Sequence, residues 1–480
     1  MTDPFTLLPL AAASRGGVID GIPANALVAA GLTLLQRSAP LVRALAGKRS
    51  ALLLPTSPAF FVALAASEGR GAVLMNPLAA PRELAYQIAD AGVGAVFTVT
   101  TLADRLPAGV TRVILDDAPG SAVVVAGGAA RTVDLGSHYA FDVAGDADAP
   151  GDLDEAVIIY TSAMQGRPLG AILTHRNLLA NARSTIPAAA LTDREHILAA
   201  LPFSHLFGLV VSGITGLLVG ARITTMARFQ PARALELLES GTVTMFVGVP
   251  AMFIALLAAL EHAGRPFNGK ALRLCICGGA VLTEDVQARW LEATGVELRQ
   301  GYGLTEASPV ALFNSVGLPN GRGTLGTALP GVDVSIRDEA TFAALPDQAR
   351  GEICIRGDTV FAGYVSARGA PAPVGLEVRE GWLRTGDLGL RRPDGAFMFA
   401  GVSKAMFTRN GFNIYPREIE STIAELPGVR TVSVTAIPHR IRENDIAVAV
   451  TGSTSEADVR RWCEESLSAY KQPTTINVTA

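Results

Sequence analysis

Between residues 34 and 99, stretches of helical periodicity alternate with short apolar runs, RSALLLPTS and VGAVFTVT, that close in Pro, Ser or Thr. Apolar runs of that length, spaced by helical segments, predict βα units and hence a parallel sheet. The alternation returns in RITTMARF from Arg222, TVTMFVGVP from Thr242 and RLCICGGA from Arg273, each beside an Ala/Leu-rich helical segment, which predicts a doubly wound α/β body. From about 321 to 400 the texture changes to short strands between Gly and Pro turns, GVDVSIRD, GEICIRG and GAFMFAG, predicting a small β-barrel or distorted sheet. After Gly401 a helix from Pro416, strands VRTVSVTAI and DIAVAV, and a helix near Glu456 to Ala469 predict a small α+β lid. The expected organisation is a large domain over 1–400, including the barrel at 321–400, and a small mobile domain over 401–480.

Residues 198–221 carry no charged side chain other than the titratable His205, so the pattern raises a membrane span. Pro202, Ser204, His205 and four glycines interrupt it, and a buried helix is the expectation. Composition agrees with a globular body: 49% of the 480 residues are hydrophobic and 18% charged, enough apolar surface for a large domain with a satellite. A net charge of -4, with no Lys/Arg run, excludes nucleic acid and an anionic membrane as expected partners. Four dispersed cysteines fit a reducing compartment; Cys275 and Cys277 alternate along an apolar run and read as inward strand residues rather than metal ligands. The first residues, MTDPFTLLPLAAASRGG, place no basic region before their apolar stretch, so a cytoplasmic protein is expected.

The candidate chemistry centres on residues 300–309, QGYGLTEASP. Gly301 and Gly303 permit close approach of backbone to a ligand, Tyr302 offers a flat face to a base, and Thr305 and Glu306 supply a hydroxyl and a carboxylate for phosphate and Mg²⁺. As a bare pattern the same string also reads as a structural turn between a strand-like VELRQ and a loop.

In company with its neighbours the string resembles the GYGxTE motif of the adenylate-forming superfamily, which includes acyl-CoA synthetases, coumarate-CoA ligases, luciferases and peptide-synthetase adenylation domains. Other segments resemble that family's landmarks in the family's order. CGGA at 277–280 resembles the glycine pair, Gly278 and Gly279, followed by Ala280, whose backbone lies along the adenine. GWLRTGDLG at 381–389 resembles the motif whose aspartate, here Asp387, accepts hydrogen bonds from the ribose hydroxyls. LPFSHLFG at 201–208 and VGVPAMF at 247–253 resemble acyl-pocket segments, and GFNIYPREIE at 411–420 resembles the start of the mobile domain.

The phosphate loop of the family, approximately [YF]TSGTTGxPKG, reads YTSAMQGRPLG at 160–170. Thr161, Ser162 and Gly166 are retained, Ala163, Met164 and Gln165 replace a glycine and two threonines, and Leu169 stands where lysine is usual. Arg167 reads either as a substitute cation or as a solvated side chain. At the domain junction Val402 follows Gly401 in place of the arginine that contacts ribose and α-phosphate, while Lys404 stands at the hinge, and Thr408 and Asn410 stand where coenzyme A ligases often carry lysines. Past YKQP no counterpart of the family's PKTxxGKxxR lysine is found, so the small domain is expected to be short relative to the family, with Lys471 or an unrelated side chain in that lysine's role.

The resemblance implies an AMP-forming acyl ligase: a carboxylic acid attacks the α-phosphate of Mg-ATP, and a thiol, coenzyme A or a carrier protein, then displaces AMP. Glu306 would hold Mg²⁺, Thr305 would meet phosphate, and His205 would position the acyl carboxylate or gate the pocket or, alternatively, sit as a hydrogen-bonded core histidine. Trp382 and Phe246 read as packing residues. Two other readings stay open: a catalytically impaired nucleotide- or acyl-adenylate-binding partner, and an enzyme of altered adenylate chemistry. The acid is not legible, and neither is the oligomeric state, for which a homodimer is the common symmetric arrangement.

Overall fold

The computed structural model describes residues 16–136, 155–161, 168–365, 378–402, 406–410, 412–439 and 442–479. Two nine-stranded sheets form the body. The parallel block of the first runs, in spatial order, Leu298–Gly303, Leu274–Cys277, Met245–Gly248, His196–Ala199, Arg222–Thr225 and Val18–Ile19. That of the second runs Glu155–Thr161, Ala72–Leu74, Arg49–Leu53, Val93–Thr98 and Thr111–Ile114. Antiparallel strands extend both blocks at their margins.

The layering follows from the two-residue strand period, because both faces of a parallel block must be covered. Ile197, Ala199, Met245, Val247, Leu274 and Ile276 face a central core, which also holds Leu52 and Phe97 of the second sheet and the buried helix Pro58–Ala66. Their neighbours Leu198, Phe246, Cys275 and Cys277 face outward against the helices Pro231–Leu238, Pro250–Ala263 and Glu284–Thr294. Ala51, Leu53, Val73 and Ile158 likewise face Leu84 of the helix Pro81–Asp90. The central helices approach so closely that a Cβ on Gly31 would stand 2.4 Å from the carbonyl of Val62.

Residues 198–221 are not one helix. The strand His196–Ala199 ends there, and helix begins only at Phe207, as a fully buried π-helical turn Phe207–Ile214 continued by Thr215–Val219. The apolar run is long because it joins a buried strand to a buried helix; among the described residues no helix is long and apolar enough to cross a membrane.

Residues 333–402 supply a five-stranded antiparallel sheet, Asp333–Arg337, Gly351–Arg356, Trp382–Arg391, Val378–Arg379 and Phe397–Val402. Trp382 packs there with Phe342 and Cys354 beneath the guanidinium groups of Arg337 and Arg356, and Phe246 is fully buried, so both are packing residues. The last part of the chain has its own core of Ile414, Ile419, Ile423, Ile446, Val448, Val459 and Ile476. It holds a hairpin Phe407–Arg409/Phe412–Ile414, a three-stranded sheet and the helices Pro416–Ala424 and Glu456–Ser466.

Candidate active site

Four strands of the body end in one region: Glu155–Thr161, Met245–Gly248, Leu274–Cys277 and Leu298–Gly303. The carboxyl ends of parallel strands are where α/β folds place ligands, since the loops that leave them are free of sheet pairing. The segment read as a turn begins as strand, through Gly303, and only then turns. Gly301 and Tyr302 pair with Phe313 and Leu312, the register slips at Gly303, and a 3-10 turn Thr305–Ala307 follows. Gly303 is required sterically, because a Cβ there would stand 1.8 Å from the carbonyl of Pro309, where the chain folds back. A Cβ on Gly278 would stand 3.0 Å from the carbonyl of Gly301, so the CGGA turn lies directly against the motif strand. Gly279 has φ of +80°, a conformation glycine adopts without strain.

Two polar corners stand on this platform. In the first, Glu306 is 3% exposed, and its Oε1 accepts from the Thr161 hydroxyl at 3.1 Å and the Tyr364 hydroxyl at 2.9 Å. In the second, the Tyr302 hydroxyl donates to Asp387 Oδ2 at 2.7 Å. Asp387 is held from behind. Its amide donates to Thr385 Oγ1 at 3.0 Å, and the Gly386 amide donates to the buried Glu352 at 2.7 Å, which also accepts from Arg384 Nε at 2.7 Å. Val402 lies directly across the sheet from Asp387, and Leu169 directly across from Thr161.

Burial, and next the charge of Asp387, push the Tyr302 phenol well above its ordinary pKa; burial and the charge of Glu306 do the same to Tyr364. Both phenols therefore remain hydrogen-bond donors toward carboxylates. His205 is exposed, not packed in the core, and desolvation by the surrounding protein lowers its pKa. Its Nδ1 accepts from the Phe207 amide at 3.3 Å, which suits the neutral ring.

In the small domain, burial and next the charges of Glu306 and Asp387 push the Tyr415 phenol well above its ordinary pKa. Glu443, beside the hairpin tip of the strands Val429–His439 and Glu443–Gly452, is near enough to contribute to the raised pKa of Cys277, which burial dominates. Lys471 is not available for a phosphate. Its ammonium is 6% exposed and lies 2.9 Å from Glu83 and 2.6 Å from Glu418. Ser162, Gly166 and Lys404 lie outside the described residues; Ala280 and Thr305 are partly buried beside the platform. Tyr364, Tyr415 and Glu352 were not found from the sequence, because each owes its place to a contact between distant segments.

The family model described as AMP-binding enzyme matches residues 41–365, and that of the AMP-binding enzyme C-terminal domain matches residues 418–480. The chain belongs to the AMP-binding enzyme family. Among its relatives, 4-coumarate–CoA ligase 1 of Oryza sativa subsp. japonica is 31% identical over 494 residues, covering 98% of this chain and 86% of that protein. A long-chain-fatty-acid–CoA ligase of Bacillus subtilis is 32% identical over 330 residues, covering 67% of this chain but only 57% of that ligase. These relatives place this AMP-binding enzyme among AMP-forming acid–thiol ligases. Its fold is similar to that of a malonyl-CoA ligase in a ternary product complex with methylmalonyl-CoA and AMP, at TM-score 0.79 and 25% identity over 99% of each chain. The ATP-bound MatB of Rhodopseudomonas palustris matches at TM-score 0.67 and 26% identity, over 100% of this chain and 93% of that one.

Proposed function

We propose that this AMP-binding enzyme joins a carboxylic acid to coenzyme A through an acyl-adenylate. The acid's carboxylate oxygen attacks the α-phosphorus of ATP and pyrophosphate leaves; the thiolate of coenzyme A then attacks the acyl carbon and AMP leaves. The single observation that carries the reading is the pairing of Tyr302 with Asp387 beside the Gly278–Gly279 turn, four residues along the same segment from Glu306 of the Thr161–Glu306–Tyr364 cluster. An aspartate held by a phenol and by its own strand is set to accept from ribose hydroxyls, while the ring of Tyr302 and the glycine backbone offer a flat slot to the base.

Mg²⁺ fits as a companion of the nucleotide. Among the described residues no cluster of three His, Cys, Asp or Glu could cage a metal, and a hard cation is commonly held by one carboxylate plus phosphate oxygens. Glu306 would supply that carboxylate, and the ion would neutralise charge on the transferring phosphates. Thr161 and Thr305 would offer hydroxyls to phosphate, and neutral His205 would meet the acyl carboxylate or the incoming thiol.

The apolar Val402 opposite Asp387, and Leu169 opposite Thr161, favour a second reading in which adenylate is bound but phosphate chemistry is weak. Pyrophosphate release measured over a panel of aliphatic and aromatic acids, with and without coenzyme A or a phosphopantetheinyl carrier, separates them. Acid-dependent release with thioester formed only in the presence of coenzyme A is the expected result. Binding of AMP with no release for any acid would overturn it in favour of the second reading.

A further inference from the structure

The strand Glu155–Thr161 pairs with the strand Leu169–Thr174, and Thr161 stands opposite Leu169 at the end of this stem, where residues 162–167 leave it. Strand alternation sends neighbouring stem residues to opposite faces of the sheet. Thr161 faces Glu306, to which its hydroxyl donates at 3.1 Å, and Tyr160 faces the helix Pro81–Asp90 on the other side. That helix holds both feet of the stem. On one, the Tyr160 hydroxyl donates to Asp90 Oδ2 at 2.6 Å; on the other, the Tyr86 hydroxyl donates to the carbonyl of Pro168 at 2.9 Å. Residues 86 and 90 are one helical turn apart and so share a face. The Tyr86 and Tyr160 rings meet edge to face, with centroids 5.9 Å apart. Tyr160 also sits over Gly170, its partner across the stem, where a Cβ would stand 3.1 Å from the ring carbon Cζ, so the ring is closely confined. Burial first, and then the bond to Asp90, hold the Tyr160 phenol well above its ordinary pKa, which keeps it a donor.

We infer, on the nucleotide reading proposed above, that Tyr86 and Asp90 are positioning residues for the triphosphate: by fixing Tyr160 and Pro168 they hold the Thr161 hydroxyl at Glu306, where the β- and γ-phosphates and their cation would lie. Both work from the far face of the sheet and touch no substrate. The chemical reason lies in this chain's own substitutions. A loop with a lysine and several hydroxyls can gather phosphate with adaptable side chains, but here Leu169 stands where that lysine is usual, and Ala163, Met164 and Gln165 replace a glycine and two threonines. With fewer groups left to adapt, more of the binding depends on Thr161 and the stem backbone being in place beforehand. AMP carries no β- or γ-phosphate, and the ribose corner at Tyr302 and Asp387 is built on other strands, so the clamp matters to ATP and not to AMP.

Isothermal titration of the full chain with AMP, and with the Mg²⁺ complex of α,β-methylene-ATP, which cannot release pyrophosphate, tests the clamp. Tyr86→Phe removes the bond to Pro168 and keeps the ring; Asp90→Ala removes the acceptor of Tyr160. The double variant Tyr86→Phe/Asp90→Ala is expected to bind the methylene analogue about tenfold more weakly while AMP keeps its affinity, which also shows that the variant is folded. Loss of a carboxylate would by charge alone favour a triphosphate, so weaker binding reports on position. In pyrophosphate release, KM for ATP is expected to rise with KM for the acid unchanged. Equal affinity of wild type and double variant for the analogue would overturn the proposal. So would an equal loss for AMP and analogue, the mark of a merely structural role, or a wild type that binds AMP but not the analogue. Binding of both ligands with no pyrophosphate released for any acid would instead count against the ligase reading and leave the ratio of affinities to decide the clamp.

Discussion

Removing one oxygen atom, in Tyr302→Phe, probes the nucleotide corner with little change of shape. The phenol donates to Asp387 at 2.7 Å, a short bond to a charged acceptor. Such bonds contribute about 1.5–3 kcal/mol, and because Asp387 is half-buried rather than enclosed the lower end applies, about 1.5 kcal/mol. If the bond orients Asp387 toward ribose, AMP should bind roughly tenfold more weakly in Tyr302→Phe, since about 1.4 kcal/mol is a factor of ten. Asp387→Ala should lose about 1–3 kcal/mol of AMP affinity outright. In the double variant the phenol has nothing left to orient, so the two losses should fall short of additive by about 1 kcal/mol or more. Isothermal titration with AMP, on the four proteins of the cycle at one pH and salt concentration, measures this directly. Full affinity in Tyr302→Phe, or strict additivity, would refute the coupling and with it the placement of the ribose at Asp387.

Three further outcomes are expected. Gly303→Ala would drive a Cβ into the Pro309 carbonyl at 1.8 Å, so the motif strand must shift; a loss of about 1–3 kcal/mol in denaturant melts together with loss of AMP binding is expected, and wild-type behaviour in both would contradict the packing described. Glu352→Ala would leave Arg384 and the Gly386 amide without their buried acceptor and should cost about 3 kcal/mol of stability, read from the same melts. The His205 pKa is lowered from 6.5 by the surrounding protein. As pH falls below 6.5 the unfolded chain therefore takes up a proton that the folded ring resists, so the stability contribution present above pH 6.5 declines. His205→Gln should flatten that decline in thermal melts across the acid range; an identical slope in both proteins would show that the ring titrates normally.

The alternation of apolar runs was enough to declare a parallel α/β body, because strands covered on both faces must read as near-continuous hydrophobic segments. It also placed the strands at Arg49–Leu53, Val93–Thr98, Met245–Gly248 and Leu274–Cys277, and the helix from Pro416. Local chemistry was legible where one short segment carries several groups, as in residues 300–309 and 381–389. What hydropathy could not separate was strand from helix within 198–221, since burial makes both equally apolar. Nor could it show that Gln300 to Gly303 is strand, because two glycines mimic a turn when the partner strand that excludes a Cβ is out of view. Only tertiary structure joined Tyr302 to Asp387, Thr161 and Tyr364 to Glu306, and Lys471 to Glu83, pairs separated by 85, 145, 58 and 388 residues. Hydrogen bonds and ion pairs act over a few ångströms of space, and chain order carries no record of which distant segments folding will bring that close.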